Sequence, residues 1–340
     1  TDNTMTFVKN PNYWQTDSDG VQLPYLDEVN LVYFADAETT MASFISGDID
    51  AVITSGTYFN ADESEQIATA LGEDYYTNTF YAAPMSIGLK QGSNPVEALT
   101  DVKVREALQY AIDLEALSDY MGYGYTEEDE LKSKISSLFS SNTEWSNIDN
   151  WDDEMLESYT TYDPEKAKEL LAEVGYADGF DFEVTIFSML PTELFQLVSE
   201  YLAEVGVNMT VTVGNTPQDM TSVGGDETNP SCVFYTIGGD SVSGVGMSIL
   251  RDGQTNYIKQ NESIIDELAT TFINATSTDE QIEAAHALDD EYMSQHYVLL
   301  ITYCERYQSF FRNSFHGLKG GTPLANYYYG YMLARCWTDN

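Results

Sequence analysis

The stretch from residue 182 to residue 213 limits the fold more than any other. Phe182-Glu-Val-Thr-Ile-Phe187 has the β-branched and aromatic content of a buried strand. Residues 192–205 follow with helical spacing, Gly206 stops them, and Val207-Asn-Met-Thr-Val-Thr-Val213 reads as a second strand. A strand, a helix and a strand joined by short connections form a right-handed βαβ unit, and the two strands must then be parallel. Parallel sheets need helices on their faces, so the chain is α/β.

A third strand reads over residues 233–237, in Ser231-Cys-Val-Phe-Tyr-Thr-Ile-Gly-Gly-Asp240-Ser241, and is expected to join the same sheet. It stops at two glycines, which presents Asp240 at a strand's end. In open α/β sheets ligands meet the chain outside the carboxyl ends of the strands, so Asp240 is a candidate ligand anchor. The competing reading is a turn-capping aspartate, since Gly-Gly-Asp is ordinary turn chemistry.

Other elements have local signals. Residues 6–8 and 29–34 read as strands around a polar loop, and residues 37–46 as a helix ending at Gly47. Residues 80–89 are extended, and residues 102–112 form an amphipathic helix capped by Asp101. Asp163-Pro164 opens a helix that Gly175 closes. Residues 263–275 and 278–295 read as helices, followed by a buried strand over 297–303. Residues 126–153 are acidic and without period; the run Glu127-Glu-Asp-Glu130 reads as a solvated loop, with cation chelation as the alternative.

At 340 residues the chain exceeds what a single core usually holds, roughly 250 to 300 residues. Fifty-six acidic residues against 14 basic ones give a formal charge of −42, spread along the length. That field repels phosphate backbones and anionic headgroups, which argues against nucleic acid or a membrane surface as the direct partner. No run approaches the roughly 18 apolar residues of a membrane span. Cys232, Cys304 and Cys336 are too scattered for a disulfide framework or a zinc site and read as small buried hydrophobes.

The chemistry motifs are weak. Gly239-Asp240-Ser241 resembles the surroundings of a nucleophilic serine, but none of His286, His296 and His316 stands in an Asp-x-x-His context. His286 and His296 are ten residues apart, not at helical ligand spacing. Residues 15–26 resemble part of a calcium loop but have Gln15 first and Leu26 twelfth. No phosphate or dinucleotide loop is complete. The expectation is no catalytic residue, no metal and no cofactor.

Several segments in order resemble the family 5 extracellular solute-binding proteins, the peptide-binding components of bacterial ABC importers. They are Asn10-Pro-Asn-Tyr-Trp14 with Pro24-Tyr-Leu-Asp-Glu28, Gly47-Asp-Ile-Asp50, Asp101-Val-Lys-Val-Arg-Glu-Ala-Leu-Gln-Tyr-Ala-Ile-Asp113, and Tyr162-Asp-Pro-Glu-Lys-Ala-Lys-Glu-Leu-Leu171 through Gly175-Tyr-Ala-Asp-Gly179. The resemblance implies a class II periplasmic-binding-protein-like fold of the cluster C type with two lobes. It places residues 1–88 in the later part of lobe I, 89–303 in lobe II, and 304–340 in the return to lobe I. Because members begin with a lipoprotein signal and more of the first lobe, an incomplete first lobe is expected here.

The family's Trp-x-Ala-Asp motif, whose aspartate holds a peptide's α-amino group, aligns with Ile237, Gly238, Gly239 and Asp240; the aspartate matches and the tryptophan does not. Lys90 replaces the asparagine that many members have after the interdomain strand. The resemblance implies a monomeric extracellular receptor, lipoprotein-anchored, that delivers its solute to a permease. It would close on a peptide by bending near 87–91 and 301–305, with Asp240, Gly239, Ser241, Tyr235 and Tyr303 at the ligand. The alternatives are an oligosaccharide or other non-peptide solute on the same fold and, from another class, a hydrolase using Ser241.

Overall fold

The computed structural model describes residues 4–34, 36–53, 59, 61–123, 130–139, 144–236, 241–260, 262–317 and 333–339. Two compact units divide the chain, one of residues 1–80 with 306–340 and one of residues 81–305. Both unit boundaries fall inside strands: β4 (Tyr75–Gly88) and β8 (Val298–Arg312).

In the first unit, β1 (Thr4–Val8) and β2 (Glu28–Val32) form an antiparallel hairpin. Helix Ala37–Ser46 starts where the Asp36 carboxylate accepts from Thr39 N at 2.7 Å and stops at Gly47, whose φ of 86° supplies the left-handed turn. After it, β3 (Ala51–Val52) pairs with Phe310 and Phe311 of β8. A small core gathers Met41, Phe44, Val52, Phe59, Ile67 and Phe310.

The second unit is built on the sheet expected from the sequence. β5 (Phe180–Phe187) and β6 (Val207–Gly214) are parallel, from Phe180 opposite Val207 to Phe187 opposite Gly214. Helix Thr192–Glu204 connects them, its Leu194, Phe195, Val198 and Leu202 buried. The strands can start side by side because Gly179 (φ 77°) lies against Gly206; a Cβ at 179 would sit 1.8 Å from the Gly206 carbonyl oxygen. β7 (Cys232–Tyr235) joins the other side of β5 in parallel, and β4 pairs antiparallel with β7, Ser86 opposite Tyr235. In this unit the strands therefore run β8-β4-β7-β5-β6. Helix Pro217–Gly225, which the sequence reading passed over, crosses back from β6 to β7 and packs on β5 and β7.

The helices named by their caps are present. Asp101 accepts from Lys103 N before helix Val102–Tyr110, and Asp163 from Lys166 N before helix Pro164–Glu173, both at 2.9 Å. Helices Ser263–Asn274 and Thr278–Ser294 also form, and all three cysteines are buried and free. Of residues 126–153, those described form a short helix Leu131–Lys134 and a 3-10 turn Ile148–Asn150. Leu138 and Asn147 are tied to helix Thr278–Ser294: Asp289 accepts from Leu138 N and Asn147 N at 2.9 and 2.8 Å, and Asp290 from the Asn147 amide.

Lys90, which stands where many members of the resembled family have asparagine, caps a helix. It is 1% exposed, and its amine donates to the carbonyls of Val223 and Asp226 at 2.7 and 2.6 Å, closing the carboxyl end of helix Pro217–Gly225. That helix has no basic residue in its own last turn. Replacing Lys90 with Met removes two charge-assisted bonds while keeping the packed stem, and is expected to cost about 2–3 kcal/mol in urea unfolding. A loss under about 0.5 kcal/mol, the range of ordinary surface changes, would show that the cap is dispensable.

Burial pushes the Asp289 carboxyl up to about 7, against the pull of its backbone donors. The native state then binds more protons than the unfolded chain between about pH 4 and 7. Stability accordingly falls as pH rises through that window, by at most about 1.4 kcal/mol per pH unit. Asp289→Asn, which removes the titrating group at the cost of one backbone-to-carboxylate bond, should lower stability overall and flatten this slope in denaturation series at pH 4.5 to 7.5; an unchanged slope would place the titration elsewhere.

Candidate functional site

The strand order contains one reversal that matters for binding. From β5 the chain moves outward to β6, returns across β5 to β7, and from β7 proceeds to β8 on the opposite side. The connections leaving β5 and β7 thus diverge, and the general rule for open α/β sheets locates a ligand crevice outside the carboxyl ends of two such strands. Continuing the register from Thr185 opposite Val233 puts Ser188 level with Thr236 as the two strands end.

On one side of that position is the turn after β5. Ser188 N donates to the Gly214 carbonyl at 3.0 Å, its hydroxyl to the Asn215 carbonyl at 3.1 Å, and Leu190 N to the Phe187 carbonyl at 2.9 Å. These bonds fix the turn to the end of β6 and leave Ser188 and Met189 exposed. On the other side is Thr236, exposed at the end of β7. Asp240 and Gly239 lie outside the described residues.

Ser241 is the N-cap of helix Val242–Ser248; its hydroxyl oxygen accepts from Gly244 N at 3.1 Å. Tyr235 and Tyr303 are enclosed in the core of this unit, each 7% exposed. The Tyr235 hydroxyl donates to the Ser248 carbonyl at 3.4 Å, and its own carbonyl accepts from Ser86 Oγ at 2.6 Å. Burial pushes both phenols up to about 12. Both rings belong to the core cluster of this unit, and their expected contact with a ligand is part of the proposal below. The turn at 188–190 was not singled out from the sequence; an exposed methionine just before a helix that starts after Pro191 was the available signal.

No group of histidine, cysteine and carboxylate side chains among the described residues could hold a metal. His286 Nε2 lies 2.9 Å from the Glu144 carbonyl, and His296 stacks on Tyr159 with ring centroids 4.4 Å apart, its imidazole pushed down to about 3 by burial. Asp17, in the loop that resembles part of a calcium site, accepts from Asp19 N and Val21 N of its own turn. Of the acidic run 127–130, only Glu130 is described, at the start of helix Leu131–Lys134.

The other unit carries two surface cavities. One, of about 460 Å³, is lined by Tyr76, Asn313, His316, Gly317 and Trp337, with His316 Nε2 2.7 Å from an Asp339 carboxylate oxygen. The other, of about 350 Å³, is an apolar groove along the β1–β2 hairpin. None of the residues expected at the ligand lines either.

Comparison with known proteins follows this geometry. The family model for bacterial extracellular solute-binding proteins, family 5 Middle, matches residues 1–244. The heme-binding protein A of Haemophilus influenzae is 30% identical over 216 residues, which cover 61% of this chain and 34% of that protein. Among solved structures, an oligopeptide-binding protein OppA superposes with a TM-score of 0.70 at 18% identity, covering all of this chain and 61% of its own. A putative peptide binding protein AppA from Clostridium difficile gives 0.68 at 16% identity, over 99% of this chain and 65% of its own. At those identities the likeness is one of fold, and the chain spans less than two thirds of the length of each.

Ser241→Ala should cost about 1 kcal/mol through loss of the helix cap, read as a lower unfolding midpoint. Any ester hydrolysis detected in the preparation should survive the change; its disappearance with the fold intact would revive the nucleophile reading.

Proposed function

This chain belongs to the family 5 bacterial extracellular solute-binding proteins, and from that premise we propose that it is the peptide-binding component of an ABC importer. The observation that supports the reading is the strand-order reversal at β5 and β7, the kind of position where open α/β sheets take ligands, in a chain of a solute-binding family. Two of the solved structures it resembles are named for peptide or oligopeptide binding.

In this proposal the segment leaving β7 brings Asp240 to the ligand's α-amino group. A carboxylate paired with an ammonium forms a charge-assisted hydrogen bond, about twice as strong as a neutral one. The chain's negative field favours a cationic amino terminus over an anionic ligand. Gly239 and Ser241 flank the anchor and let backbone groups approach. The lobe division 1–88, 89–303 and 304–340, with bending near 87–91 and 301–305, belongs to the same proposal, as do the ligand contacts of Tyr235 and Tyr303, the permease partner, the lipoprotein anchor, the monomeric state and the lack of catalysis.

The family is extracellular, and no helix among the described residues is long and apolar enough to cross a membrane. A non-peptide solute is the second reading, favoured by the 30% identity to a protein named for heme binding.

Thermal shift with pooled short peptides, offered with free and with acetylated amino termini, separates these readings. Free peptides at about 100 times the dissociation constant should stabilise the fold by roughly 2.7 kcal/mol, and acetylated peptides by much less. Equal shifts with both pools would remove the amino-terminal anchor, and no shift with either would remove the peptide reading.

A further inference from the structure

Four helices of the 81–305 unit carry carboxylates four positions apart and contain no lysine or arginine. The pairs are Glu115 and Asp119 in helix Leu114–Tyr120, Asp153 and Glu157 in helix Asp153–Thr160, Glu200 and Glu204 in helix Thr192–Glu204, and Asp279 and Glu283 in helix Thr278–Ser294. All eight residues are exposed. Residues four apart lie one turn above another on the same helix face, about 5–6 Å between Cβ atoms, where like charges repel. The ion pairs Lys9–Asp27, Lys103–Glu173, Lys168–Glu165 and Arg251–Asp266 involve none of the eight. Lys90, Arg105 and Arg312 are engaged with helix-end carbonyls instead.

A solvated acidic face is by itself ordinary. Here the repulsion is a property of the folded state, because the expanded unfolded chain holds the same charges further apart. Its size depends on ionic strength. The screening length is about 30 Å at 10 mM salt, about 10 Å at 0.1 M and about 3 Å at 1 M. At 0.1 M it still exceeds the separation of about 5–6 Å within each pair, so only concentrated salt brings it below that spacing. The net charge of −42 adds a longer-range repulsion, which the first increments of salt remove.

We propose that the fold is conditional on ionic strength: screening of these helix-borne carboxylate pairs sets its stability, and the chain reaches full stability only in a concentrated saline medium. Any monovalent salt serves, because the effect needs no bound ion. The inference does not depend on which solute the protein takes.

The test is the thermal unfolding midpoint of the wild-type chain at about pH 7.5, without ligand, from about 10 mM to about 1 M sodium chloride or choline chloride. The midpoint should rise by about 3–8 °C in both salts, the size that four such pairs give, and should keep rising above about 0.15 M. Some salts also strengthen apolar burial, so a second protein separates the two effects. Asp119→Asn combined with Glu157→Gln, Glu200→Gln and Glu283→Gln removes one charge from each pair and leaves the core as it is. This variant should unfold at a higher temperature than the wild type in dilute salt and close to it in concentrated salt. A wild-type midpoint that does not rise with salt overturns the proposal, and so does a variant whose salt response equals that of the wild type. A rise with sodium but not with choline overturns it in favour of bound ions.

Discussion

Three cations donate to carbonyls at the ends of helices that have no basic residue of their own there. Helices Ala37–Ser46, Pro217–Gly225 and Thr278–Ser294 have no basic residue in their last turns. Their C-terminal carbonyls carry partial negative charge in a chain already at −42. Arg312 donates to the Phe44 and Ile45 carbonyls at 2.6 and 2.7 Å, and Lys90 donates to those of Val223 and Asp226. Arg105 Nε reaches the Gln295 carbonyl at 2.7 Å, while its Nη1 takes that of Leu99 and its guanidinium lies 4.9 Å from the Tyr297 ring centre. Burial lowers the proton affinity of both Lys90 and Arg105, so carbonyl dipoles offset a real desolvation cost. Of only 14 basic residues, these three are used inside, on backbone instead of on surface carboxylates.

One of these caps bears on the site. Lys90 closes the helix that returns the chain from β6 across β5 to β7, and that return creates the reversal of strand order. The reversal at β5 and β7 therefore depends on a helix whose amino end is set locally, where Asp219 accepts from Thr216 N at 2.9 Å. Its carboxyl end is closed by a residue from β4's continuation.

Much of the architecture was legible because it is written in neighbouring residues. Asp101, Asp163 and Gly47 lie within a few positions of the backbone groups they satisfy, and the parallel pairing of β5 with β6 follows from the short links around their helix. Helix Pro217–Gly225 escaped notice because it is glycine-rich and buries only Met220 and Gly224, which leaves a weak apolar stripe. Tyr235 and Tyr303 were placed near a ligand by the resemblance. Which way each faces depends on the layers packed over the sheet, and both are enclosed.

The sequence by itself determined the α/β class, the family resemblance, the capped helices and the strand that leads toward Asp240. Caps, periodicity and turn glycines act over a few residues, so they can be read without knowing what lies opposite. Only the tertiary structure decided the strand order and the pairing of cations with helix ends. Those pairings join residues 133, 190 and 268 positions apart. At such separations the partner is chosen by how the layers pack, which no local pattern in the chain records.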